Sequence, residues 1–225
     1  QQMMQYYVDL LKDAYDFELL VNFHGCTIPR GWERTFPNFM TDEAVRGAEC
    51  YKFAPEYQEK APWHNVNLVF TRNAIGPMDY TPVTFSDMDY PRLTTNAHEL
   101  ALSVVFQSGI THFADKPESY IEQPQEVKDF LRGIPVTWDE TRFISGAPGD
   151  YVVLARRKGA EWYVAGINGL TENQSIELDL IDFGGSTAQL FSDAESRRFD
   201  IQNIGSDTQK IDLLPYGGFV LKISK

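Results

Sequence analysis

The chain of 225 residues is short of cysteine, of basic charge and of long apolar runs, and each shortage excludes something. Cys26 and Cys50 are too few for a disulfide scaffold, and their spacing matches no zinc motif. Two small unpaired hydrophobes are the simpler reading of them. No stretch approaches about 18 consecutive apolar residues, which excludes a membrane-spanning helix. Against 32 Asp and Glu stand only 20 Lys and Arg, a net charge of −12. Neither half of the chain reverses that balance, which argues against a phosphate-tracking nucleic-acid binder. The sequence also lacks a Gly-x-Ser-x-Gly elbow, a P-loop and a dinucleotide fingerprint in a strand–turn–helix context, so Ser or Cys nucleophile chemistry has little support. No signal-peptide pattern is visible, a weak observation in a chain that opens on Gln1.

What is present, 43% hydrophobic and 23% charged residues, suits a globular protein of one large or two modest domains. Met4, Tyr7, Val8, Leu11 and Tyr15 recur on one helical face, with no N-cap residue before them. Residues 19–23 form a short apolar run typical of a strand buried on both faces. After a Gly/Pro-punctuated stretch, the pattern predicts a short helix over 41–52, a strand over 67–71 and a long loop over 72–93. A buried helix capped by Thr94 or Thr95 follows, then a strand over 110–114 and a helix over 125–132. Helices alternating with strands and long loops indicate an α/β unit with a parallel sheet, its loops at the carboxyl ends of the strands where (β/α) barrels build active sites. From about Pro135 the pattern changes to seven short strands with turn signals between them, the signature of a small antiparallel β-sandwich. The expected domains are 1–130 and 131–225.

The loop after the first strand carries the densest chemistry. His24, Arg30, Trp32, Glu33 and Arg34 are followed by Glu43, Arg46 and Glu49, a mixture of flat apolar faces and charged hydrogen-bonding groups that suits a sugar site. Two carboxylates also suit general-acid work or a hard cation such as calcium. On one continuous helix Glu43 and Glu49 would lie about 120° from superposition, so they converge only if the helix ends or bends near Gly47. Solvated surface acids are the bland reading. In the second loop Arg72 and Asp79 can pair and shape a pocket wall, or simply brace the loop. His98-Glu99 mimics half of a zinc pair, but residue 102 is Leu, so zinc is rejected there. His112 and Asp115 end the third strand, where a satisfied structural histidine is the simpler expectation. Asn173-Gln174-Ser175 is a formal glycosylation sequon and nothing more.

At these loops the sequence resembles glycoside hydrolase family 97, the α-glucosidase and α-galactosidase family of gut Bacteroidetes. The matching pieces are Val21-Asn22-Phe23-His24-Gly25, Arg34-Thr35-Phe36-Pro37-Asn38, Glu43-Ala44-Val45-Arg46-Gly47-Ala48-Glu49, Phe70-Thr71-Arg72 and Gly76-Pro77-Met78-Asp79-Tyr80-Thr81-Pro82. Residues 114–120, Trp138-Asp139-Glu140-Thr141 and Pro148-Gly149-Asp150-Tyr151 also fit.

The resemblance implies the C-terminal half of a (β/α)8 TIM-type barrel followed by the family's small antiparallel β-sandwich. It implies Glu49 as catalytic acid, Glu43 and Glu49 near a calcium ion, and His24 as a substrate-contacting residue, with Arg72 and Asp79 in the substrate pocket. The inverting branch has a Glu directly after this His, serving as base and calcium ligand; here the residue is Gly25. The chain therefore resembles the retaining, α-galactosidase-type branch, whose nucleophile, an Asp at an earlier strand end, is expected upstream of Gln1. An α-glucosidase of the same family and a non-catalytic carbohydrate-binding or assembly piece are the alternatives. The implied partners are an oligosaccharide and the N-terminal portion of the same enzyme, and the implied location is the periplasm or the cell exterior.

Overall fold

The computed structural model describes residues 2–184, 187–205 and 207–224. Helix α1 (Gln2–Asp16) forms where the apolar side chains recur with helical spacing, and it buries Leu11. Strand β1 (Val21–Phe23) then pairs in parallel with β2 (Phe39–Asp42), and Leu11, Val21 and Phe39 make the small core beneath them. The strand is shorter than expected: Leu19 and Leu20 remain exposed outside it. Met78 adds a parallel bridge to Asp42, so three chain segments lie side by side and end at His24, Glu43 and Asp79.

Two expectations between 41 and 71 are corrected. Residues 41–52 are not one helix. Thr41 and Asp42 belong to β2, Ala44 takes a positive φ that no helix accommodates, and only α2 (Cys50–Phe53) is helical. Residues 67–71 are not a strand. They complete helix α3 (Tyr57–Phe70), which buries Tyr57, Ala61, Asn65 and Leu68 along one face. Pro62 within that helix disguises it in the sequence, because proline normally interrupts helical hydrogen bonding.

Helix α4 (Asn96–Val105) starts at Thr95, whose side-chain oxygen accepts the His98 amide at 3.1 Å. Residues 110–114 run without a strand partner among the described residues, contrary to the expected third strand. Two short helices follow, α5 (Pro117–Ile121) and α6 (Gln125–Gly133).

The remaining chain is β-structure. An unexpected strand, β3 (Glu140–Ala147), precedes β4 (Tyr151–Lys158), β5 (Glu161–Asn168), β6 (Gln174–Asp179), β7 (Thr187–Asp193), β8 (Phe199–Ile204), β9 (Thr208–Leu213) and β10 (Gly218–Ser224). Six of them form an antiparallel sheet in the order β3-β4-β5-β10-β7-β8, and β6-β9 form a second, two-stranded sheet. Strand alternation sends Val153, Ala155, Phe219 and Leu221 into the core between the sheets. Val152, Leu154 and Val220 face the opposite way, into a core shared with Leu100, Val104, Tyr57 and Tyr80. The main core is thus continuous across residue 130. At Gly218 a Cβ would stand 2.6 Å from the His98 Cα, so glycine there lets α4 approach β10 closely. No helix among the described residues is long and apolar enough to cross a membrane.

Asp193 fastens this contact by accepting the Gly218 amide at 2.9 Å. Burial pushes its carboxyl up to about 6, from 3.8. A folded-state value above the unfolded one favours folding when the group is protonated. That contribution is full below about pH 4 and is lost as pH rises through about 6. Thermal unfolding measured from pH 4 to 7 should therefore show a component on the order of 2 kcal/mol that declines across this window and disappears in Asp193→Asn.

Candidate active site

The three neighbouring segment ends gather most of the residues singled out in the sequence. Strand geometry puts Asn22 and His24, two apart on and just after β1, on one face. Asp79 arrives beside them because its amide bonds to the Asp42 carbonyl at 3.0 Å. Asp79 is completely buried and accepts from Asn22 Nδ2 at 2.6 Å, His24 Nε2 at 2.9 Å and His112 Nδ1 at 2.6 Å, with the His112 amide at 3.1 Å on its other oxygen. Burial works against its charge, but these hydrogen bonds outweigh burial and hold the carboxyl below its ordinary pKa.

On the other side of His24, the Gly25 amide donates to Glu43 at 2.8 Å, and His24 Nδ1 lies 3.8 Å from Glu43 Oε1. One ligand atom each from His24, Glu43 and Glu49 falls within 4.8 Å of the others. Glu43 and Glu49 therefore converge, through a loop rather than a bent helix.

The loop that presents Glu49 is tightly held. Tyr57 Oη donates to the Arg46 carbonyl at 3.0 Å, and His64 Nε2 lies 3.1 Å from the same oxygen. Burial pushes His64 down in pKa, so it is neutral and donates there. The Ala48 amide bonds to the Tyr80 carbonyl at 3.0 Å, and a Cβ on Gly47 would overlap that carbonyl oxygen. Beside Glu49 opens a cleft of about 740 Å³ lined by Phe53, Met88, Phe113, Lys52, Asp87 and Asp115, among others.

Arg72 and Asp79 do not pair. Arg72 is buried against the Asp42 carboxylate, and its guanidinium also donates to the carbonyls of Asp42 (3.0 Å), Pro77 (2.9 Å) and Gly76 (3.2 Å). Burial raises the Asp42 carboxyl to about 6 despite that guanidinium. His98 and Glu99 are interior groups: His98 meets Asn65, and Glu99 accepts from Thr94 and the Thr84 amide. Asp115 is held by the amides of Phe85, Ser86 and Lys116. The sequence reading missed Asn22; it expected a satisfied structural histidine at His112, whose amide and Nδ1 both meet Asp79 while the ring is 61% exposed. Strand alternation could have found Asn22; nothing local marks His112.

Two family models match this chain. One, described as "Glycoside hydrolase 97", covers residues 1–45, and one, described as "Glycosyl-hydrolase 97 C-terminal, oligomerisation", covers 137–224; together they take in more than half of it. It is 42% identical over 166 residues to a "Probable retaining alpha-galactosidase" of Streptomyces bingchenggensis, covering 74% of this chain and 25% of that protein. It is 34% identical to a "Retaining alpha-galactosidase" of Bacteroides thetaiotaomicron, covering 92% and 34%. The chain thus spans a quarter to a third of the length of these curated relatives. Among solved structures it resembles a beta-arabinopyranosidase, with TM-score 0.91 and 35% identity over 97% of this chain and 36% of that one. It also resembles a family 97 enzyme from Pseudoalteromonas sp. strain K8 in complex with acarbose, with TM-score 0.83 and 29% identity over the same shares.

Two glycines near the acids should respond unequally to the same change. Gly47→Ala forces its backbone away from Tyr80 and should lower Tm by roughly 4–8 °C, an effect of about 2 kcal/mol. Gly25 has φ +59° and open space around its Cβ position, so Gly25→Ala should cost only the left-handed backbone penalty, about 1 kcal/mol. Thermal melts of both variants check the ranking.

Proposed function

The chain belongs to glycoside hydrolase family 97, and we propose that it carries the acid side of a retaining hydrolase of terminal α-galactosides. In this reading residues 1–130 form the second half of a (β/α)8 catalytic barrel. The β-sandwich then packs on that half and on further copies, and the enzyme works in the periplasm or outside the cell.

The reaction is a double displacement. Glu49 donates a proton to the glycosidic oxygen as the bond breaks, then takes a proton from the water that releases the glycosyl-enzyme intermediate. The nucleophile comes from outside these 225 residues. Asp79 is buried with its oxygens occupied by donors and is not the nucleophile, and Glu43 is given to the cation.

Glu43 and Glu49 would hold a calcium ion. Two convergent carboxylates offer the oxygen donors a hard cation takes, though fewer than the six to eight it fills. When bound, calcium supplies positive charge beside the sugar. His24 orients a hydroxyl. Arg72 and Asp79, both buried, serve the pocket through the groups they hold rather than by touching the sugar.

The observation that carries the retaining assignment is Gly25. The residue that would supply an inverting base beside His24 has no side chain, and open space lies where one would project. A β-L-arabinopyranoside has the ring configuration of an α-D-galactoside without its hydroxymethyl group, so the likeness to a beta-arabinopyranosidase favours galacto-configured glycons over gluco ones.

In an enzyme of the relatives' full length, Glu49→Gln should slow alkyl and sugar α-galactosides by about a thousandfold while sparing aryl galactosides with activated leaving groups far more. Equal loss on both classes would refute the acid role. Rates on 4-nitrophenyl α-D-galactopyranoside, β-L-arabinopyranoside and α-D-glucopyranoside should fall in that order; a preference for the glucoside would make it an α-glucosidase. The 225-residue chain alone should turn over none of them, and any turnover would mean that the nucleophile lies within it.

A further inference from the structure

We infer that Asp79 is a positioning residue that turns His24 and His112 into a matched pair of hydroxyl-binding imidazoles, and that His112 is a second sugar-contacting residue of the site. The inference rests on the glycosidase reading and adds to it the group that grips the glycon.

The geometry starts from the carboxylate. Its oxygens can only accept while it is ionised, and its lowered pKa keeps it so. Each ring nitrogen facing it must therefore carry hydrogen: Nε2 of His24 and Nδ1 of His112. The short approaches of Asn22 Nδ2 to both rings, 3.5 Å and 3.3 Å, are then not hydrogen bonds; they arise because three donors converge on one Oδ2. The two rings stand edge to face with centroids 5.9 Å apart. The remaining nitrogens, Nδ1 of His24 and Nε2 of His112, are turned away from Asp79 and can bond sugar hydroxyls, as acceptors or as donors.

Both rings keep an open edge in this chain although their anchor is closed. The anchor is wholly buried, while the His24 and His112 side chains are 34% and 61% exposed. His112 is also fixed twice on the same carboxylate, through its amide and its ring, so its orientation is set before any ligand arrives. Preorganised partners of this kind lower the cost of binding. His24 joins the two groups: it shares a cluster with Glu43 and Glu49, one ligand atom of each within 4.8 Å of the others, and its ring lies 5.9 Å from that of His112.

Two measurements test this. In the chain labelled with nitrogen-15 histidine, long-range proton–nitrogen spectra should show His24 as the Nε2–H tautomer and His112 as the Nδ1–H tautomer. Asp79→Asn should disturb both. Opposite tautomers in the unmodified chain overturn the positioning role, whatever the activity. In the full-length enzyme, His112→Ala should keep Tm within about 2 °C, because Asp79 retains the Asn22, His24 and residue-112 backbone donors. It should reduce kcat/KM on α-galactosides by about 10- to 100-fold, the worth of one or two hydrogen bonds. The reduction should be the same for activated and poor leaving groups, unlike that of Glu49→Gln. Among monodeoxy galactosides, one should lose nothing further in the variant. Unchanged kcat/KM, or a loss matched by a large fall in Tm, overturns the sugar contact. An unmodified enzyme inactive on every glycoside overturns the functional reading and the sugar contact together, while the tautomer spectra still decide the positioning role.

Discussion

The guanidinium of Arg72 is the interaction on which the site depends. It binds the Asp42 carboxylate and the carbonyls of Asp42, Gly76 and Pro77, tying the loop after α3 to the end of β2. With that loop tied down, Met78 bridges Asp42 and the Asp79 amide reaches the Asp42 carbonyl. Asp79 is thereby delivered to Asn22, His24 and His112, and the chain leaving β2 carries Glu43 to the Gly25 amide. Arginine suits the position because its planar fork serves several oxygens at once; lysine, a single point charge, could not. Burial opposes the charge of both partners, lifting Asp42 and lowering Arg72 in pKa. Such a pair is better understood as fixing one arrangement of the loop than as a large source of stability.

A second layer supports the first. The segment before Glu49 is held by tyrosine and histidine side chains from α3 and by the Tyr80 carbonyl, and those tyrosines sit in the main core. That core is closed on its far side by one face of the six-stranded sheet, through α4 against β5 and β10. The sandwich therefore serves as the floor on which the loops carrying the acids are built. An acid presented this way is held by backbone contacts on both flanks, while its own side chain stays exposed at the edge of the cleft.

Much of the molecule was legible in the sequence. All seven expected strands of the C-terminal part form, because short apolar or alternating runs between turn residues are a local signal: β4, β5 and β10 are near-continuous buried runs, while β6 and β9 alternate. The helix capped by Thr95 was legible for the same reason: a cap and a helical apolar face lie within a dozen residues. The failures share a cause as well. Residues 41–52 have helix-compatible spacing, but parallel pairing of Phe39–Asp42 with β1 overrides it. The run at 67–71 has strand-like composition, but continues a helix whose earlier turn contains Pro62. In both places tertiary contact outweighs a weak local preference.

The sequence by itself determined the alternation of helices and loops before about residue 130, the sandwich after it, and the family to which Glu49, Glu43 and His24 pointed. It could not show which charged groups meet. Arg72 and Asp79, seven apart and of opposite charge, invited a pairing that the fold does not make, since Arg72 is consumed by Asp42, thirty residues earlier. His112, ninety residues from Asn22, joins the site only because the chain returns to the same carboxylate. Local periodicity decides which elements form. Which side chains share a buried charge is decided by long-range packing, where desolvation makes every unpaired ionic group costly and so selects one set of partners.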